Sequence, residues 1–195
     1  VIPNPDRREL IQELNAAKSL EENDKLIVYF AGHGKSEAST SFWLPVDASP
    51  DDDTQWLEDN TIKRKLSQIP ARNVLVVADT CFSGNLTRGV EVVDIDINET
   101  VYEKFEATKS RVAISSGGDQ PILDSVSGQH SIFSAAFLSY LERTEKPFSA
   151  QELVGDIQFQ VLKTSMKAGL EQSPRFGGLD RAGHEGPGFV FYPKK

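Results

Sequence analysis

The sequence predicts an α/β domain built on a mostly parallel β-sheet that is flanked by helices. Two short apolar runs, residues 26–28 and 74–77, are bounded by turn residues, which is typical of strands buried on both faces of a parallel sheet. Residues 111–116 form a third such run. A segment with helical periodicity separates the first two runs, as in a βαβ unit. A chain of 195 residues can form one such domain with a substantial core.

The first half of the chain predicts two helices and an additional short strand. Asn4 is predicted as an N-cap with Pro5 at the first helical position, opening an amphipathic helix over residues 5–19. Residues 42–47 predict a short strand. A crossover helix follows and ends at Pro70; its apolar positions are Ile62, Leu66 and Ile69.

The second half is less regular at its start. Residues 85–110 are polar and predict no definite element, whereas residues 132–141 have the apolar spacing of a helix. A capping box at residues 149–152 opens a further helix. The apolar residues 189–192 predict a short edge strand that closes the chain.

Composition limits the classes of partner. The net charge is -8, from 29 acidic and 21 basic residues, and no basic run is present, which argues against a nucleic-acid partner. The single cysteine cannot form an internal disulfide, which favours a reducing compartment. No apolar stretch approaches the roughly 20 residues that span a bilayer. These features predict a cytoplasmic protein with neither a nucleic-acid nor a membrane partner.

Two motifs follow the first two predicted strands: Tyr-Phe-Ala-Gly-His-Gly at residues 29–34 and Ala-Asp-Thr-Cys-Phe-Ser-Gly at residues 78–84. Parallel strands end at the same sheet edge, where open α/β sheets bind ligands, so we expect His33 and Cys81 to reach one crevice. A cysteine beside a histidine is the minimum for thiolate nucleophilic catalysis. A lone cysteine in an apolar context is more commonly a small buried hydrophobic residue, but here it stands where the chain must turn. We interpret the other two histidines, His130 and His184, as structural.

His33 precedes Cys81 by 48 residues, close to the spacing of about 50 found in caspases. The two motifs together resemble the caspase-like cysteine peptidases, and more closely their metacaspase and bacterial orthocaspase branch. The resemblance implies a caspase-like three-layer sandwich. It extends over nearly the whole chain, with further matches at residues 44–47, 114–120, Asp124, 131–134, 172–174 and 189–192.

The resemblance also concerns domain organisation. Residues 1–195 are expected to form one peptidase domain, but the family begins with a strand, a helix and a second strand that are not found before the first helix of this sequence. We expect that segment to come from a longer chain, with or without an upstream sensor domain, or from a separate polypeptide. A sheet without the family's central first strand would expose apolar surface and unpaired backbone groups.

The same resemblance implies roles for individual residues. His33 would be the general base and acid of a dyad, and Cys81 the nucleophile that attacks the substrate carbonyl. The backbone N–H groups of Gly34 and Cys81 would bind the oxyanion. The expected reaction is therefore cleavage of peptide bonds within proteins.

Asp79, two residues before the nucleophile, is the candidate specificity residue. Its carboxylate would repel an acidic P1 side chain, the residue that precedes the cleaved bond, and would pair with Arg or Lys. Asp119 and Asp124 are candidate second carboxylates of the same pocket. Alternatively, Asp79 is a structural aspartate that accepts hydrogen bonds from the N–H groups of a turn.

Self-cleavage is expected in the polar segment 85–110, because relatives are cut there and exposed loops are favoured sites for proteolysis. The segment contains three residues that match the basic P1 preference: Arg88, Lys104 and Lys109.

Neither a metal nor another cofactor is required by these motifs. Calcium, which activates several metacaspases, could bind the acidic residues at positions 51–53, 58 and 59, although they lack the alternating spacing of a calcium loop. Two other functions compete with the peptidase. One is a catalytically inactive caspase-like interaction module; the other is a nucleotide-binding domain, which the absence of a glycine-rich phosphate loop disfavours.

Overall fold

A computed structural model describes residues 1–38, 40–80, 88–89, 99–118 and 130–193. Its largest sheet has five strands: β1 Lys25–Ala31, β5 Asn73–Asp79, β6 Arg88–Gly89, β7 Ser110–Ser115 and β9 Arg175–Gly178. Their order across the sheet is β1-β5-β7-β9-β6. Strands β1, β5 and β7 run parallel, whereas β9 is antiparallel to β7 and β6 is antiparallel to β9.

Helices cover both faces of this sheet. Strand β5 is buried along its entire length, and its side chains alternate between two cores. Val74 and Val76 join the core formed with α1 and α2, while Leu75 and Val77 join the core formed with α4 and α5. The predicted α/β sandwich of three layers is therefore confirmed. The helices are α1 Arg7–Ala16, α2 Asp59–Ser67, α3 Glu99–Ala107, α4 Ile132–Arg143 and α5 Ala150–Lys167.

The N-terminus of α1 differs from the prediction. Asp6, rather than Asn4, is the N-cap: its carboxylate accepts a hydrogen bond from the Glu9 backbone N–H, and the Glu9 side chain accepts one from the Asp6 N–H. This reciprocal capping box satisfies two helix-end donors, which the Asn-Pro pair would not do. The second predicted capping box, Ser149 with Glu152 at the start of α5, is confirmed.

A small antiparallel sheet lies between β1 and α2 and was only partly predicted. Its strands are β2 His33–Glu37, β3 Thr40–Leu44 and β4 Leu57–Glu58, in that order. Strand β3 corresponds to the short strand expected at residues 42–47. Strand β2 was missed because its residues are polar and exposed or half-buried, so they carry no hydrophobic signal.

The segment 85–110 contains more structure than expected. Helix α3 occupies residues 99–107 and buries Tyr102 and Phe105 against Val190. The terminal strand, β10 Val190–Phe191, pairs antiparallel with β8 Phe148–Ser149 outside the large sheet. Strand β9 was not predicted, because Arg-Phe-Gly-Gly has no strand pattern of its own.

Strand β1 lies at one end of the described sheet order. Ile27 and Tyr29 on this strand remain 46% and 43% exposed, unlike the fully buried positions of β5. An apolar edge of this kind is a template for pairing with a further strand. The segment that the family resemblance adds before α1 stays a prediction. None of the described helices is both long and apolar enough to cross a bilayer.

Candidate active site

Gly32 is the single residue that connects β1 to β2, the strand that begins with His33. A Cβ atom on Gly32 would lie 3.0 Å from Cζ of the Phe30 ring, so a larger residue would disturb that ring. Phe30 in turn stacks on Trp43 of β3, with ring centroids 4.3 Å apart and planes 1° from parallel. Because Trp43 pairs with Gly34 across the β2–β3 hairpin, this stack fixes the hairpin that carries His33 against the sheet.

The register of β1 and β5 relates the two catalytic candidates. Ala31 pairs with Asp79, and the Gly32 N–H donates a 3.2 Å hydrogen bond to the Asp79 carbonyl. His33 is two residues beyond Ala31, and Cys81 is two residues beyond Asp79. Neighbouring strands of a sheet lie about 4.8 Å apart. Cys81 itself lies outside the described residues, so its catalytic role stays a prediction.

The His33 side chain is exposed and forms no hydrogen bond with another described residue. Its role as general base and acid stays a prediction. Gly34, the candidate oxyanion donor, is half-buried in β2.

Asp79 is buried, with 4% of its surface exposed. Its Oδ2 atom accepts hydrogen bonds from the hydroxyls of Ser131 and Ser134, each at 2.5 Å. Its Oδ1 atom is also buried but has no hydrogen-bond partner among the described residues. The described bonds to the carboxylate therefore come from hydroxyls rather than from the turn N–H groups that a purely structural aspartate was expected to use.

Tyr29 extends this hydroxyl network to β1. Its phenol oxygen lies 2.7 Å from Oγ of Ser134, and burial raises the pKa of Tyr29 above its ordinary value. Sequence reasoning missed both serines as site residues. The spacing of Ser131 and Ser134 indicates only a helix cap, and Ser131 does cap α4 by accepting from the Ser134 N–H at 2.9 Å.

Unpaired polar atoms concentrate at this edge of the sheet. Three buried side-chain atoms lack a partner within the described ranges: Asp79 Oδ1, Ser115 Oγ and Gln172 Oε1. Ser115 ends β7, and the Gln172 side chain borders Gly118 just beyond that strand end. Buried polar atoms without partners are costly and uncommon. All three atoms lie at or next to the C-terminal ends of β5 and β7.

The close approach of two chain segments at the same edge explains why residue 117 is a glycine. Gly117 has φ +63°, and a Cβ atom there would lie 1.8 Å from the Ser173 carbonyl oxygen. Only glycine fits such a position. The Ser173 N–H donates to the Gly117 carbonyl at 3.1 Å, which joins the end of β7 to the segment before β9. Asp119 and Asp124, the candidate second carboxylates, lie outside the described residues.

The candidate self-cleavage residues lie largely in regular structure. Lys104 is exposed but within α3, and the Lys109 carbonyl accepts a hydrogen bond from the Glu185 N–H just before β7. The backbone of Arg88 pairs with Gly178 in the large sheet. The expectation of an unstructured loop is thus wrong for residues 99–107, although self-cleavage itself stays a prediction.

The acidic residues considered for calcium are engaged separately. Asp52 accepts from the Thr54 N–H, Glu58 accepts from the Asn60 amide, and Asp59 forms a buried ion pair with Lys63. The described residues contain no group of three or more His, Cys, Asp or Glu side chains that could hold a metal ion. The expectation that no metal or other cofactor is required stays a prediction.

His184 has a structural role at the opposite edge of the sheet. Its Nδ1 atom accepts a hydrogen bond from the Arg111 backbone N–H at 3.1 Å. Burial and the charge of Arg111 lower the pKa of His184. The Arg111 guanidinium is itself fully buried and donates to the carbonyls of Leu66, Ile69, Arg72 and Ser110.

The described residues form a three-layer α/β domain in which β1 and β5 pair in parallel and His33 follows the end of β1. A scan against protein families matches residues 1–179 to the caspase domain. The chain therefore belongs to the caspase domain family of cysteine peptidases. A search of curated proteins found no match.

Proposed function

We propose that this domain is an endopeptidase with a His33–Cys81 dyad that cleaves proteins after Arg or Lys. The observation that carries this proposal is the register of the two strands: Ala31 pairs with Asp79, and each catalytic candidate follows its strand by the same two residues. The Gly32–Asp79 hydrogen bond holds the two strand ends together. A side-chain dyad requires this proximity.

The reaction would proceed in two steps: Cys81 first forms a thioester with the substrate, and water then hydrolyses that thioester. His33 takes the proton from the Cys81 thiol, and the sulfur attacks the substrate carbonyl carbon. The resulting oxyanion would be bound by the N–H groups of Gly34 and Cys81, each contributing about 2.7–4 kcal/mol. His33 then protonates the leaving amine as the C–N bond breaks. A water molecule, deprotonated by His33, finally attacks the thioester and releases Cys81.

Asp79 supports basic specificity at P1. A substrate cation would neutralise its buried carboxylate and donate a hydrogen bond to Oδ1, which has no described partner. An acidic P1 side chain would instead meet a negative charge in a site of low dielectric. Asp119 or Asp124 would supply a second carboxylate. This specificity fits the metacaspase and orthocaspase branch that the motifs resemble.

The inactive-module alternative predicts the same fold without turnover. A thiol-reactive peptide probe with Arg at P1 separates the two functions. We expect the probe to label wild-type protein on Cys81, to fail on Cys81→Ala, and to label His33→Ala far more slowly. Intact mass spectrometry measures this labelling directly. A wild-type protein that the probe leaves unmodified would favour the inactive module.

The specificity has its own test. Asp79→Asn keeps the side-chain shape but removes the charge, so cleavage after Arg should fall roughly 10- to 100-fold, the value of a hydrogen bond to a charged group. Peptides with neutral P1 residues should lose much less. If Asp at P1 gave the best substrate, the basic specificity would be wrong while the dyad could stand.

A further inference from the structure

Only one oxygen of the Asp79 carboxylate, Oδ2, accepts hydrogen bonds from described side chains. Ser131 and Ser134 both reach Oδ2 at 2.5 Å, and the Ser134 oxygen also lies 2.7 Å from the Tyr29 phenol. An ionised carboxylate only accepts hydrogen bonds, so each serine donates its single hydroxyl proton to Oδ2. Tyr29 is then the donor to Ser134.

Two fixed elements anchor this arrangement. The Asp79 carbonyl accepts from the Gly32 N–H at the end of β1, and the Ser134 N–H is bound by the Ser131 hydroxyl at the start of α4. The terminal torsion of an aspartate is normally broad. With two donors on Oδ2, the carboxylate cannot turn without breaking a hydrogen bond to a charged group.

We infer that Ser134, together with Ser131, is a positioning residue for substrate recognition. The two hydroxyls hold Oδ2 and leave Oδ1, which has no described partner, to receive the cation of an Arg or Lys side chain. This inference rests on the basic specificity proposed above. It adds that α4, far along the chain from both catalytic candidates, sets the orientation of the specificity carboxylate.

Ser134 is the better site for a test. Ser131 caps α4, so its removal would cost about 1 kcal/mol of helix stability and confuse the result. Ser134 is 7% exposed and lies inside α4, where alanine is the best helix former. Ser110→Ala is the matched control, because Ser110 is also buried but its hydroxyl accepts a hydrogen bond from the Asn73 amide at the opposite edge of the sheet.

The experiment compares the affinities of two peptides for the full chain carrying Cys81→Ala. The peptides differ only at P1, where one has Arg and the other its neutral isostere citrulline. We expect the parent to prefer the Arg peptide and Ser134→Ala to reduce that preference about tenfold. Ser110→Ala should leave the preference unchanged. With Cys81 intact, Ser134→Ala should raise KM for Arg peptides more than it lowers kcat.

Two further variants isolate the hydroxyl from the packing of α4. Ser134→Thr and Ser134→Val have nearly the same shape, so Thr should retain the Arg preference and Val should lose it, even if both reduce stability. An Arg preference that survives in both Ser134→Ala and Ser134→Val would overturn the inference and leave the basic specificity intact. A parent that binds Arg and citrulline equally would overturn both.

Discussion

Gly178 offers a sharp test of how the sheet edge opposite the candidate active site is packed. It lies in β9 between Val112 of β7 and Arg88 of β6. A Cβ atom on Gly178 would lie 2.5 Å from Cδ2 of the His184 ring, which is too close for any real contact. In Gly178→Ala the ring must move away, and its hydrogen bond from the Arg111 N–H must break.

The expected loss of stability in Gly178→Ala follows from the loss of that hydrogen bond. A lost hydrogen bond and a buried N–H without a partner together cost about 2 kcal/mol. The lower chain entropy of alanine in the unfolded state returns about 0.5–1 kcal/mol. Gly178→Ala should therefore reduce the free energy of unfolding by about 1–1.5 kcal/mol and, with an m-value of about 2 kcal/mol/M, lower the urea midpoint by about 0.5–0.8 M.

A double-mutant cycle identifies the cause. With His184→Ala the obstructing ring is gone, so adding Gly178→Ala should be neutral or slightly stabilising. Gly155→Ala is the control: Gly155 is exposed inside α5, and its replacement should stabilise both backgrounds by up to about 1 kcal/mol. If Gly178→Ala destabilised the protein equally with and without His184, the packing argument would be refuted.

Two further predictions concern pH and processing. The lowered pKa of His184 means that the unfolded chain binds a proton before the folded one. The stabilising contribution of His184 should be complete above about pH 6.5, the unfolded pKa, and should decline as the pH falls below it. Urea unfolding across pH 5–8 tests this, because the difference in free energy of unfolding between wild type and His184→Gln should become smaller in acid. Wild-type protein should be nicked within residues 85–110 while Cys81→Ala stays whole, and cuts after Lys104 should be slow because α3 must first unfold. Intact mass spectrometry of both proteins over time measures this, and cutting of Cys81→Ala at the same rate would exclude self-cleavage.

The parts of the fold that could be predicted from sequence are those with a strong local hydrophobic signal. Residues 74–77 are apolar without interruption because β5 is covered on both faces. The residues of β2 and β9 carry no such signal. Their strand structure depends on their neighbours: β2 pairs with β3, where Trp43 lies opposite Gly34, and β9 pairs with β7 of the large sheet. Tertiary contacts, rather than local propensity, form these strands.

The same distinction applies to the candidate site. Asp79 could be singled out because it stands two residues before the cysteine at a strand end. The contribution of Ser134 could not be predicted, because 55 residues separate it from Asp79 and only the packing of α4 on the sheet brings the two together. A serine in a helix start indicates a cap, and nothing in its local sequence indicates which carboxylate it contacts.

The most direct test of the central claim is a P1 positional scan with peptide substrates on wild-type protein and on Cys81→Ala. We predict that wild type cleaves after Arg and Lys, that substrates with Asp at P1 are far poorer, and that Cys81→Ala cleaves none of them. Equal cleavage by Cys81→Ala would contradict the assignment of the nucleophile. A wild-type preference for Asp at P1 would contradict the role given to Asp79.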